Sequence, residues 1–450
     1  MFPLRISIEA DSLLDHEAQH LLRTTQHALD DLNDFSAHHL RLQLSSSVNA
    51  TADVTGLSTG RIEDEEVALA IRLLPGTATS ADLQPYAPVL DVYYTPNQVS
   101  SSSSSASPLA NFIANELRVL FAEEQAMIAY LLSTSSAPPE RSPKALAPEV
   151  ADSLAKWTTR SLKYSRTYHL TFSLFTPTAT PASWDIEAAL EEYMYPLLES
   201  FSAISNFTID TQVQLYATPG VTGSLLRKED LSGFINAAEW PLSPSIGGAP
   251  TINFILYIGN MSVEGGGQSW LIPQWGGLAI QPDITDLRPA MLIFSNQLLS
   301  LLGAPTSTSL PLRLMTLIRV RSAGLLLKAS GTLGSLARLS LALPSISIPE
   351  TVAEGVRTTI SHLRKACDGL GGKEALEHAR IAEEAAEKAF FEKSMVGQVY
   401  FPDEHKLAVY MPLLGPIGVP LIMGVVKELK GWRKRRKGGV EGVENFDLPT

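Results

Sequence analysis

The sequence predicts an α/β fold: mixed sheets with flanking helices in one large body, then a C-terminal helical stalk and one transmembrane helix. Three observations carry this expectation. Short apolar segments alternate with longer amphipathic ones over roughly the first 300 residues, as packed layers of strands and helices require. The pattern from 311 to 400 is helical throughout. Residues Leu407–Val426, LAVYMPLLGPIGVPLIMGVV, form a stretch of twenty without a charge.

The elements follow in order. PLRISIEA reads as a strand, and an amphipathic helix runs from Ser12 to Leu32. Apolar strands follow at HLRLQLSSS, EVALAIRLL and VLDVYY. Six serines, Ser100–Ser105, form a loop before one long helix expected over Pro108–Leu132. STSSAPPERSPKALAPE is a linker and the best domain boundary. A helix then leads to the strand YHLTFSLF. Ser183 is placed to cap the helix WDIEAALEEY. The strands NFTIDTQVQLYA, TINFILYIG and GGLAIQ come next, and a helix over Arg288–Leu302 closes this part. The expected domains are an N-terminal α/β subdomain over 1–135, a second over 150–310, a helical segment over 311–400, the span 407–426 and a basic tail 427–450. No internal repeat of fixed period is visible.

At about 1.5 Å per residue, the twenty uncharged residues can cross a hydrocarbon core of roughly 30 Å. Ten of them are Leu, Ile or Val. The flanks set the orientation. Asp403, Glu404 and Lys406 precede the stretch; Lys427, Lys430, Arg433, Lys434, Arg435, Arg436 and Lys437 follow it. Basic residues stay cytoplasmic, so the tail belongs on that side. Pro412, Pro416 and Pro420 recur every four residues and Gly424 continues the row. Each proline removes a donor and frees the carbonyl four residues back. A stripe of this kind is expected to pack on a partner's membrane helices.

The chain carries 35 Lys+Arg and 47 Asp+Glu. Seven of the basic and four of the acidic residues lie from Lys427 onward, leaving the body with a net charge of −15. Such a body does not grip phosphate backbones, which argues against nucleic acid as a partner. The one cysteine, Cys367, permits neither an intrachain disulfide nor a cysteine metal cluster. The N-terminus, MFPLRISIEADSLLDHE, has no basic region followed by an apolar core, so it is not a signal peptide.

Several motifs suggest chemistry. His16-Glu17-Ala18-Gln19-His20 matches H-E-x-x-H, in which two histidines bind zinc and the glutamate activates water. On a helical wheel, however, His16, His20 and His27 fall opposite the apolar arc, with Gln19 and Arg23. A zinc hydrolase using His16, Glu17 and His20 is therefore the weaker reading. Gly56-Leu57-Ser58-Thr59-Gly60 matches a nucleophile elbow but sits in a polar loop without the required strand and helix. Cys367 has no paired base near it; His362 is off its helical face. DGLGGK lacks the spacing of a phosphate loop and reads as a helix end. No cofactor is implied. Asn49, Asn206 and Asn260 each open an N-x-Ser/Thr sequon, usable only in a lumen.

YHLTFSLFTP, SWDIEAALEEYMYPLLESFSAISNFTIDTQVQLYA, IPQWGG and YFPDEHKLAVYMPLL together resemble the PIG-S family over roughly residues 165–430. That family supplies a subunit of the glycosylphosphatidylinositol (GPI) transamidase of the endoplasmic reticulum membrane. The resemblance implies a non-catalytic role, supporting transfer of precursor proteins to a GPI anchor. It implies partners in the caspase-like PIG-K, which holds the catalytic residues, and in PIG-T, PIG-U and the GPI-anchor attachment protein, besides membrane lipid. It implies a luminal body, a cytoplasmic tail and a glycan on Asn206. It also implies an N-terminal span, which is expected to precede residue 1. A tail-anchored cytosolic adaptor is the alternative to a luminal body.

Overall fold

The computed structural model describes residues 2–33, 38–45, 67–98, 107–135, 147–180, 184–221, 223–236, 240, 248–343, 347–369, 372–393 and 403–438. Ser183, Asn49, the serine run and the motif Gly56–Gly60 lie outside them. The fold is mixed α/β, with largely parallel sheets flanked by helices. The chain forms two compact units: Met1–Gly331 with Ile360–Glu383, and Thr332–Thr359 with Glu384–Thr450.

The first unit holds two five-stranded sheets. In one, β1 (Phe2–Glu9), β2 (His38–Leu44), β3 (Val67–Pro75), β4 (Ser80–Leu83) and β5 (Val89–Tyr94) lie in the order β2-β1-β3-β5-β4. Only β4 is antiparallel to its neighbour. Helix α1 (Asp15–Leu32) connects β1 to β2, and buries Ala18, Leu21, Thr25 and Leu29. That spacing is one face of a 3.6-residue helix. Helix α2 (Pro108–Leu120) starts on Ser107, whose Oγ accepts from the Ala110 N–H at 3.3 Å, with Pro108 in the first turn. The helix expected to continue to Leu132 breaks at Phe121, where φ is −98° and ψ 5°, and resumes as α3 (Ala122–Ser133). Phe121 itself is buried and sits 6.1 Å from the His38 ring.

After α4 (Pro148–Arg160) comes the second sheet. Its main strands are β6 (Thr167–Phe175), β7 (Asn206–Gln214), β9 (Thr251–Ile258), β11 (Ser269–Ile272) and β12 (Gly276–Gln281). The short β8 (Leu225–Leu226) and β10 (Ser262–Val263) pair separately. The order is β7-β6-β9-β12-β11, and only β11 is antiparallel to its neighbour. This is the topology of the first sheet strand for strand. In each, a helical crossover joins the first two strands, a hairpin supplies the antiparallel edge, and a helix with proline in its first turn follows. The crossover here is α5 (Ile186–Ala189) and α6 (Tyr195–Ser200), joined by a π-turn over Leu190–Met194. The turn widens just before Pro196, which has no N–H to give the preceding turn.

Strands β6, β9 and β12 are buried on both faces, as central parallel strands are. Gly276 cannot carry a side chain. An added Cβ would stand 1.9 Å from the Asn253 carbonyl oxygen, so β12 pairs this closely with β9 only through glycine. Helix α7 (Arg288–Leu302) ends at Gly303 with φ 83°, a left-handed cap.

Helix α8 (Leu310–Ala342) begins between the two sheets' cores. Its Leu312 joins the first core; Leu317, Ile318, Leu325 and Leu326 join the second. It carries two buried guanidinium groups. Arg319 donates from Nε to Glu124 Oε1 at 2.7 Å and from Nη2 to Oε2 at 2.6 Å. Thr316 Oγ1 donates to the same carboxylate at 2.6 Å, and His38 Nε2 lies 3.3 Å from it. Burial alone would raise the Glu124 pKa, but Arg319 and His38 hold it well below the usual carboxylate range. Arg321 instead donates to the carbonyls of Leu162 at 3.2 Å and Leu302 at 2.7 Å. Leu302 ends α7, where the helix dipole is negative.

Helices α9 (Glu350–Asp368) and α10 (Lys373–Phe390) complete the helical part. In α10 the buried stripe is alanine at 375, 379, 382, 386 and 389, a four-three alternation that lets helices approach closely. Arg380 ties α10 to the second sheet, donating to the Tyr164 hydroxyl at 2.6 Å and the Ile204 carbonyl at 2.7 Å. In the second unit, Leu336, Val352 and Ala389 from α8, α9 and α10 form a small core. Helix α11 (Asp403–Gly438) follows.

The Glu124 carboxylate is ionised in the folded state far below its unfolded pKa. Its contribution is therefore present above the ordinary carboxylate range and lost as pH falls through and below it. Glu124→Gln will lower unfolding free energy at pH 7 by about 3–5 kcal/mol by stranding Arg319. It will also flatten the acid limb of stability below about pH 4.5. Urea denaturation of both proteins across pH measures both effects.

Candidate functional site

The H-E-x-x-H match lies in the first turns of α1. Glu17 is occupied as a helix cap: its Oε2 accepts from the Leu14 N–H at 3.2 Å. His16 is exposed, and His27 is exposed beside Asp31 at 3.0 Å. His20 departs from the wheel. It is half-buried, and its Nε2 is enclosed without a hydrogen-bond partner. Among the described residues, no three His, Cys, Asp or Glu side chains gather as a metal site needs. Cys367 is exposed near the end of α9. His362 faces α10, its Nδ1 3.2 Å from His378 Nδ1. Burial, then the neighbouring His378, pulls the His362 pKa down.

Two sequon asparagines are described, and both are exposed. Asn206 is the first residue of β7, an edge strand, and Asn260 lies in the bend after β9. On β7, Phe207 and Ile209 pack toward the core while Asn206, Thr208 and Asp210 alternate to the other face. That face is polar across three strands. His169, Thr171 and Ser173 of β6 stand in register with Thr208, Asp210 and Gln212 of β7, and the first two with Thr251 and Asn253 of β9. His169 bridges 2.8 Å to Thr208 Oγ1 and 2.9 Å to Asp210 Oδ2, so the hydroxyl of the Asn206 sequon is engaged in the fold. The alternation of polar His169, Thr171 and Ser173 in YHLTFSLF is the sequence signal of this face.

Helix α11 runs unbroken through Pro412, Pro416 and Pro420. By the four-residue rule the carbonyls they free are those of Ala408, Pro412 and Pro416, all on the proline stripe. Side chains are exposed all round: Met411 64%, Leu414 62%, Ile417 64%, Val419 61%, Leu421 64%, Ile422 66% and Met423 67%. An added Cβ at Gly415, Gly418 or Gly424 would meet nothing within 4 Å. Among the described residues, no helix is long and apolar enough to cross a membrane. The side chains of Leu407, Val409 and Leu413, three apolar members of the charge-free stretch, are not among those described.

The family described as Phosphatidylinositol-glycan biosynthesis class S protein, PIG-S, matches residues 1–435. The chain is 30% identical over 357 residues to the GPI-anchor transamidase component PIGS of Homo sapiens, covering 65% of this chain and 64% of that protein. It is 30% identical over 354 residues to the Rattus norvegicus protein of the same name, with the same coverage. It is 29% identical over 328 residues to the GPI transamidase component PIG-S homolog of Schizosaccharomyces pombe, covering 65% of this chain and 59% of that one. The chain thus spans less than two thirds of the length of the curated relatives it matches.

Glu17 in the role of a cap has a measurable consequence. Glu17→Ala will lower stability by about 0.5–1 kcal/mol through the first turn of α1. Zinc in the purified protein, read by atomic emission, will be substoichiometric before and after the change.

Proposed function

Because the chain belongs to the PIG-S family, we propose that it is a non-catalytic structural subunit of the GPI transamidase, supporting attachment of GPI anchors to precursor proteins in the endoplasmic reticulum. The match over residues 1–435, with relatives named as transamidase components, carries this reading. The bond chemistry lies on another chain, the caspase-like PIG-K. In support, Glu17 is engaged as a cap and His362 pairs with His378 instead of facing Cys367. PIG-T, PIG-U and the GPI-anchor attachment protein are the other partners.

In this reading residues 407–426 cross the bilayer, with residues 1–400 luminal and the basic tail cytoplasmic. A charge-free, proline-spaced stretch inside a helix exposed on every side supports it. The row Pro412, Pro416, Pro420 and Gly424 packs on partner helices. Residues 1–135 and 150–310 serve as two α/β subdomains and 311–400 as the helical segment before the span. Asn206 is the first glycan acceptor, with Asn260 and Asn49 as further ones.

Affinity capture of the tagged chain from native membranes tests the assembly. The caspase-like subunit will co-purify, and its absence overturns the reading. Replacing Pro412, Pro416 and Pro420 by leucine will reduce that recovery without reducing expression. Endoglycosidase treatment will sharpen the band of the wild-type chain, and Asn206→Gln will remove one glycan step. An unchanged mobility would place residues 1–400 outside the lumen.

A further inference from the structure

The sequence joining α8 to α9 in the second unit is apolar and charge-free, and the proposed assembly does not use it. From Leu339 to Pro349 the chain reads LSLALPSISIP, eleven residues without a charge, between Arg338 and Glu350. Loops that turn between helices are ordinarily polar. Here the end of α8 and the start of α9 expose apolar side chains instead: Leu341 is 81% exposed and Ile348 52%. The end of α10 lies at the same place. Leu336 and Leu339 of α8, Val352 and Val356 of α9, and Ala389 and Phe390 of α10 share one small core. An added Cβ on Gly355 would stand 3.0 Å from the Ala389 Cβ, so α9 and α10 touch backbone to backbone there. Phe391 then projects outward, 64% exposed, its ring 5.0 Å from that of Phe390. Leu341, Ile348 and Phe391 are thus three exposed apolar side chains, each within four residues of a member of that shared core.

Chain connectivity says what covers it. From Phe391 the chain passes through eleven residues, 392–402, to α11 and its charge-free stretch. At no more than about 3.6 Å per residue, eleven residues keep Phe391 within roughly 40 Å of the start of α11. We propose that Leu341, Ile348 and Phe391 dip into the headgroup–acyl boundary of the bilayer that α11 crosses, so that the tip is a second, shallow membrane contact. The occupant is lipid: three apolar projections, flanked in sequence by charges of both signs (Arg338, Glu350, Glu392 and Lys393), suit a shallow seat at the boundary between apolar chains and polar headgroups. This inference rests on residues 407–426 spanning the membrane, and its test separates the two.

The full chain, with Cys367→Ser as background and isolated with its partner subunits, is reconstituted into phosphatidylcholine nanodiscs. A single cysteine at Ile348→Cys or Ile417→Cys carries an environment-sensitive nitrobenzoxadiazole label. Lipids spin-labelled at a shallow or a deep acyl position are the quenchers. Label at 348 will emit blue-shifted and be quenched more by the shallow lipid; label at 417 will be quenched by the deep one. Water-like, unquenched emission at 348 with quenching at 417 overturns the tip contact and leaves the span standing. No quenching at either position overturns both. Quenching at 348 alone removes the span and, with it, the tip as a second contact.

Discussion

Two arginines on one helix hold the first unit together. Arg319 and Arg321 are two residues apart on α8, so they leave the helix roughly 200° apart. Arg319 reaches a buried carboxylate on α3, and Arg321 reaches the carbonyls at the end of α7. A buried guanidinium must be met by acceptors, because it stays charged at any accessible pH. The two demands point in opposite directions, which lets α8 serve as a shared wall for both sheets' cores. Tyr164, under the edges of both Arg321 and Arg380, repeats the device one layer away, where burial pushes its hydroxyl pKa up.

The two sheets repeat one topology with different surroundings. In the first, β1 buries Leu4, Ile6, Ser7 and Ile8 and exposes Arg5. In the second, β6 is buried almost throughout. A shared strand order requires only apolar segments joined in the same sequence, and it tolerates different residues at equivalent places. That is why no fixed-period repeat is visible in the amino-acid sequence while the doubled architecture is plain in space.

The residues that look reactive in the sequence have structural tasks. Glu17 closes a helix turn, and His362 meets its counterpart on the next helix. Among the described residues, large apolar side chains are exposed along α11 and at the ends of α8 and α10. Exposed apolar surface of this extent marks contact with lipid or protein.

The sequence by itself determined the α/β class, most of the strands, the helical run before the charge-free stretch and the family. Those rest on local periodicity, on uninterrupted apolar length and on residue blocks such as SWDIEAALEEY, all of which are written along the chain. It also placed Asn206 at an accessible strand start, where the structure exposes it. Only the tertiary structure decided that Pro108–Leu132 breaks at Phe121, that His20 is drawn partly inward, and that Glu124 and Arg319 meet. The last depends on partners 195 positions apart, and no local pattern encodes a contact between a glutamate in FAEEQAM and an arginine in MTLIRVR. The small core of Leu336, Val352 and Ala389 has the same origin: residues of three helices become neighbours only in the folded chain.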